Sequence, residues 1–175
     1  EVENVARGRF SDGLLIEGRD VKSRRLTQEL IDNKAFVIFQ PVFSKDGFLA
    51  AVDVLQLDTD TSGYTIYEIK SSSSVKKEHL HDVAFQVMLL RSWGLTIDKA
   101  FLMHLNPDYV RRGALDLQSL FLAVDMTLPV EEIEEVVTQE LEEAKSYLSS
   151  KNEPAGQCDC IYKGRSGHCT TFNYS

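Results

Sequence analysis

The amino-acid sequence predicts one α/β domain, a mixed central β-sheet flanked by helices, followed by a C-terminal helix and a cysteine-rich tail. Three observations carry that reading. At 175 residues and 43% apolar, the chain can bury one full core. The runs AFVIFQPVF, FLAAVDVLQLD and YTIYEIK are rich in β-branched and aromatic residues and are separated by polar segments ending in glycine. Stretches with helical spacing of apolar residues precede and follow them.

The elements can be taken in order. A first helix is expected over 23–32, with Leu26, Leu30 and Ile31 facing inward and Arg24, Arg25, Gln28 and Glu29 facing solvent. A short turn around Ser44-Lys45-Asp46-Gly47 would pair Phe43 with Phe48, which sets Gln40 opposite Ala51. The segment DTDTSG, 58–63, closes a second hairpin. If Leu57 pairs with Tyr64 across it, Asp53 falls opposite Glu68. A helix over 78–93 turns Leu80, Ala84, Val87, Met88 and the stem of Arg91 toward the sheet and stops at Gly94. Two apolar runs follow, 99–105 and 118–126. The last helix begins near Pro129, with Ile133, Val136, Val137, Leu141, Ala144 and Leu148 on its apolar side. Its acids, Glu131, Glu132, Glu134, Glu135, Glu140, Glu142 and Glu143, form a solvated face. The domain is expected over 1–150 and the tail over 151–175.

The chemistry concentrates on the second hairpin. Side chains directly opposed on paired strands lie roughly 4.5–5.5 Å apart on one face. Asp53 and Glu68 would therefore converge, and Lys70, two residues beyond Glu68, joins them. Two facing acids are destabilising unless a cation compensates. Mg²⁺ is held by one or two carboxylates plus waters and phosphates, which matches this supply of ligands. The same residues would also suit a solvent-facing sheet surface carrying a Glu–Lys pair. Gln40 on the same face, the four-serine turn 71–74 directly after Lys70, and Asp82 and Gln86 at i, i+4 on one helix face favour a site.

This order of helix, three-strand meander, helix and strand, with Asp53, Glu68-Ile69-Lys70 and Gln86, resembles the PD-(D/E)XK nuclease superfamily. The branch it is most similar to is that of the RecB-like exonucleases and their CRISPR-associated relatives. EIKSSSSVKKEHLHDVAFQ and LMHLNPDYVR also resemble an uncharacterised bacterial family of that branch. The resemblance implies a restriction-endonuclease-like core. It implies that Asp53 and Glu68 ligate Mg²⁺ or Mn²⁺ with the Ile69 carbonyl as a third ligand. Lys70 would orient the attacking water, and Gln86 would match the glutamine of the following helix. Val52 stands where the family name expects proline, and Gln40 where relatives often carry glutamate. The chain begins without Met, inside what reads as a first helix, so an acid or histidine placed there by the family would lie out of view. Phosphodiester hydrolysis builds negative charge on phosphoryl oxygens. A divalent metal offsets that charge and lowers the pKa of bound water, and a fixed lysine adds positive charge where the transition state needs it. The implied activity is DNA hydrolysis, exonuclease-like on single-stranded ends. The alternative is an inactive nuclease-fold module that binds nucleic acid or partners within a larger protein.

All three cysteines lie in the tail, at Cys158, Cys160 and Cys169, with His168 beside the last. Such a cluster of soft ligands suits zinc or an iron–sulfur cluster. Relatives join three C-terminal cysteines to an upstream one around a [4Fe–4S] cluster, and the resemblance implies the same for the intact protein. A zinc site completed by His168, or free or oxidised thiols, are the other readings. The odd thiol count fits a reducing cytoplasm. No run of eighteen apolar residues is present. The net charge of −8, from 19 basic and 27 acidic residues, argues against a broadly basic surface. Lys76, Lys77, Arg111, Arg112, Lys22, Arg24 and Arg25 remain as cations that could meet phosphates. His104, Asn106 and Tyr109, at the end of a strand beside the site, could touch substrate or simply cap the strand end. His79 and His81 point to different sides of the helix start, and His79 is expected in solvent.

Overall fold

The computed structural model describes residues 2–150. The chain divides into two compact units, Glu1–Leu141 and Glu142–Ser175. In the second, the described part is the end of the last helix. The cysteines and His168 lie outside the described residues.

The first unit is a six-stranded mixed sheet with helices packed on it, in the α/β arrangement expected. In chain order its strands are β1 (Leu14–Leu15), β2 (Val37–Phe39), β5 (Val54–Leu57), β6 (Tyr64–Lys70), β7 (Ile97–Leu105) and β8 (Phe121–Asp125), and they lie side by side in that order. β1 runs parallel to β2 and β6 parallel to β7, whereas the other neighbours are antiparallel. The helices are α1 (Val2–Ala6), α2 (Val21–Asp32), α3 (Lys77–Ser92), α4 (Leu117–Leu120) and α5 (Thr127–Ser149). Parallel neighbours cannot be joined by a tight turn, and α3 supplies the crossover between β6 and β7. Among the described residues no helix is long and apolar enough to cross a membrane.

The β5–β6 hairpin has the expected register, with Leu57 opposite Tyr64 and Val54 opposite Tyr67. The preceding hairpin, β3 (Val42–Lys45) with β4 (Phe48–Ala51), does not. Lys45, rather than Phe43, pairs with Phe48, and Val42, rather than Gln40, pairs with Ala51. The reason is the turn. Asp46 (φ 53°) and Gly47 (φ 86°) both take left-handed backbone, which makes a two-residue turn whose twist matches the strands. The register of β3–β4 continues unchanged into β2–β5, so the four strands form one long ribbon. The ribbon bends at Gln40, which has a φ of 56°, and there Gln40 N–H donates to the Asp53 carbonyl (3.2 Å) and Val52 N–H to that of Pro41 (3.0 Å).

The core has two parts, one on each sheet face. Ile38, Leu55, Ile66 and Leu102 pack with Val83, Val87 and Leu90 of α3 and with Val130 and Val137 of α5. Val37, Phe39, Val54, Ile69, Met103 and Phe121 pack with Ala6 of α1. Helix positions depart from the expected faces in two places. In α2, Leu26 is exposed and Thr27 is buried, because the Thr27 hydroxyl donates to Ser23 carbonyl (2.9 Å) and accepts from Val42 N–H (2.8 Å), tying helix to ribbon. In α5, Val136 and Leu148 are exposed while Val137 faces the core. The run 118–126 is likewise split: Asp116 caps the single turn of α4, and the strand starts at Phe121.

Candidate active site

Asp53 sits at the ribbon bend, one residue before β5, and is 7% exposed. Its Oδ1 accepts from Gln40 Nε2 (2.7 Å) and its Oδ2 from Ile69 N–H (2.7 Å). Glu68, 8% exposed, is gripped from both sides: Oε2 accepts from Gln86 Nε2 (2.7 Å) and Oε1 pairs with Lys70 Nζ (2.8 Å). Lys70 also reaches Asp82 Oδ2 at 2.7 Å. Thus Asp82 and Gln86, one turn apart on α3, hold the two charged residues of β6. The structure brings together the predicted Asp53, Glu68, Ile69, Lys70 and Gln86, and it adds Gln40 as a direct partner of Asp53.

Burial, and then the neighbouring charge of Glu68, push the Asp53 carboxyl up to about 7, against the Ile69 N–H that favours the charged form. Burial works against the Lys70 ammonium, but the hydrogen bonds it donates to Asp82 and Glu68, and their charges, hold it above the ordinary lysine range. Lys70 is therefore a cation at any working pH and not a proton acceptor. Two of its three N–H donors are used by the carboxylates, which leaves one.

Asp53, Glu68, Ile69 and Lys70 line a cavity of about 450 Å³ together with Val2, Glu3, Arg19, Ala51 and Ser71. Glu3 comes from α1, so the helix read at the start of the chain does bring an acid to the cavity, whereas the sequence alone places none in view. Its Oε2 accepts from Gln40 Nε2 at 3.3 Å and lies 3.9 Å from Arg7. Among the described residues no group of three or more Asp, Glu, His or Cys is arranged to hold a metal ion. What the site can offer a cation is oxygen: the Asp53 and Glu68 carboxylates and the Ile69 main-chain carbonyl. Such a set suits a hard divalent ion that keeps several waters. Gln86 Oε1 is buried without a hydrogen-bond partner among the described residues, an acceptor left over beside the Glu68 pair.

The other candidates do not line this cavity. His79 is buried, not solvated: its Nδ1 accepts from Lys76 N–H (3.2 Å) at the start of α3, and burial followed by the Lys70 charge lowers its pKa. His81 pairs instead with Glu140 of α5 (3.1 Å). His104 lies beside Lys70 in the parallel register and is buried, with Nδ1 against the Leu105 carbonyl (2.9 Å). Asn106 caps a turn, donating to Ser119 carbonyl (2.9 Å) and accepting from Asp108 N–H (3.0 Å), and Tyr109 hydroxyl accepts from Asp116 N–H (3.1 Å). Both close the loop after β7.

No family model matches the chain. It is 36% identical over 75 residues to the uncharacterized protein UU173 of Ureaplasma parvum serovar 3. That match covers 42% of this chain and 11% of the relative, so the chain spans about a tenth of the relative's length. Among solved structures it is similar to an alkaline exonuclease of Laribacter hongkongensis (TM-score 0.37, 16% identity), over 73% of this chain and 67% of that one. It is also similar to SSO0001 (TM-score 0.35, 18% identity), over 87% of this chain and 68% of that one.

Proposed function

We propose that the chain is a metal-dependent nuclease of the PD-(D/E)XK type that hydrolyses DNA phosphodiester bonds, acting on single-stranded ends. The observation that carries this reading is the convergence of Asp53, Glu68 and Lys70 in one cavity. Burying two carboxylates side by side, one of them destabilised enough to titrate near neutrality, is costly in a purely structural sheet. A substrate phosphate and a cation would use that arrangement.

In this reading Asp53, Glu68 and the Ile69 carbonyl hold Mg²⁺ or Mn²⁺, whose chemistry is to neutralise phosphoryl charge and make bound water acidic. Gln40 and Ile69 N–H fix the Asp53 carboxylate, and Gln86 fixes that of Glu68. Lys70, always charged, lines the cavity and has one N–H left to give. There it orients the attacking water and offsets the negative charge that develops on the phosphoryl oxygens. Glu3 adds a further carboxylate at the edge of the cavity. For the intact protein we propose a reducing, cytoplasmic setting, further domains, and a [4Fe–4S] cluster or zinc held through Cys158, Cys160 and Cys169.

The test is hydrolysis of end-labelled single- and double-stranded DNA with Mn²⁺, comparing the natural chain with Lys70→Ala. Cleavage that drops at least a hundredfold in Lys70→Ala is the expected outcome, in keeping with loss of one preorganised charge. Equal cleavage by both chains would sink the assigned mechanism. Binding without cleavage by either would leave the nucleic-acid-binding module.

A further inference from the structure

The cavity that holds Asp53 and Glu68 has a neighbour. A second cavity of about 300 Å³ is walled by Leu15, Ile16, Glu17, Gly18, Arg7 and Gln40, and shares Glu3 and Arg19 with the first. Arg19 lines both. Of the cations here, Lys70 is neutralised by Glu68 and Asp82, and Arg7 faces Glu3 with its guanidinium over the Phe39 ring. Arg19 is exposed and, among the described residues, makes no ion pair or hydrogen bond, although it lies where three carboxylates would repel a phosphate chain.

The loop around it is nonetheless fixed. Ile16 N–H donates to Phe39 carbonyl (3.0 Å), Ser23 hydroxyl donates to Glu17 carbonyl (2.9 Å), and Asp20 caps α2 by accepting from Lys22 and Ser23 N–H (2.9 Å each). Gly18, at φ +80°, makes the bend between those anchors. The backbone that carries Arg19 is thus anchored, and its guanidinium, without a partner among the described residues, is available to an anionic ligand. We infer that Arg19 is a binding residue for a backbone phosphate next to the one held at Asp53 and Glu68, and that the substrate strand crosses it into the second cavity. The inference rests on the nuclease reading of the first cavity.

The experiment measures binding of a labelled single-stranded oligonucleotide across a salt series with Mn²⁺, in the cleavage-deficient Lys70→Ala chain with and without Arg19→Ala. A charge-assisted bond to phosphate predicts roughly tenfold weaker binding without Arg19. The slope of log affinity against log salt should become shallower by about 0.7, as expected when one phosphate fewer is neutralised on a single strand. Arg19→Lys should keep the slope. Because Arg19 is exposed and unbonded, its removal should leave the melting temperature unchanged. Identical affinity and slope with and without Arg19 would make it an ordinary solvated arginine and overturn the inference, while DNA cleavage by the natural chain, abolished in Lys70→Ala, would leave the nuclease reading standing. No binding by any chain would overturn both.

Discussion

Asp53 is the residue at which burial and charge conflict most. Its carboxyl titrates at about 7 in the folded chain and near its ordinary 3.8 when unfolded. Between those values the folded state holds the extra proton. Stability of the metal-free protein is therefore fullest below about pH 4 with respect to this group, and it is lost as pH rises through 7. Asp53→Asn removes the charge and can keep the bond from Ile69 N–H, with the Gln40 amide reversing to accept from the new NH₂. In EDTA at pH 8 the variant should be more stable by about 1–2 kcal/mol, a few degrees in Tm. The advantage should vanish at pH 4. Thermal melts at the two pH values check this, and a variant less stable than the natural chain at pH 8 would show that the hydrogen bonds outweigh the buried charge.

At the scale of elements, α2 is tied to the ribbon by a hydroxyl as well as by the apolar packing of Leu30 and Ile31 against the core. Thr27 is fully buried, and its oxygen is the partner of Val42 N–H. Thr27→Val keeps the shape and deletes the acceptor, leaving a buried N–H unpaired. The expected cost is about 1–3 kcal/mol, read from the urea midpoint at unchanged m-value. A neutral result would mean that water reaches Val42 N–H. Leu30 and Ile31 pack inward as their spacing predicts, but Leu26 does not, because Thr27 takes the buried place and satisfies a strand end. The β5–β6 register was legible because a polar loop sits between two unmistakable strands. The β3–β4 register was not, since Asp46-Gly47 closes a tighter turn than the four-residue one expected. The slip was of two residues, which preserves the face of every side chain. Gln40 accordingly still meets the acids, opposite Asp53 and not Ala51. Glu3, His79 and Arg19 were beyond reach, for each depends on how distant segments pack.

For the whole molecule, two sets of acids have different consequences. Those of α5 are largely solvated, at little cost. Asp53 and Glu68 are buried and Glu3 stands beside them, so folding brings like charges together that the unfolded chain keeps apart. A divalent ion that binds there only in the folded state must stabilise the entire fold by mass action. At a hundred times its dissociation constant the gain is about 2.7 kcal/mol, or roughly 5–10 °C in Tm for a domain of this size. The gain should be larger at pH 8 than at pH 5, because binding must first expel the proton that Asp53 retains. Differential scanning fluorimetry with Mn²⁺ at both pH values, on the natural chain and on Asp53→Asn, separates this from nonspecific ion effects. A rise confined to the natural chain places the ion at Asp53 by a readout that needs no catalysis. A rise of equal size in both chains would move the metal elsewhere, and with it the chemistry assigned to Glu68 and Lys70.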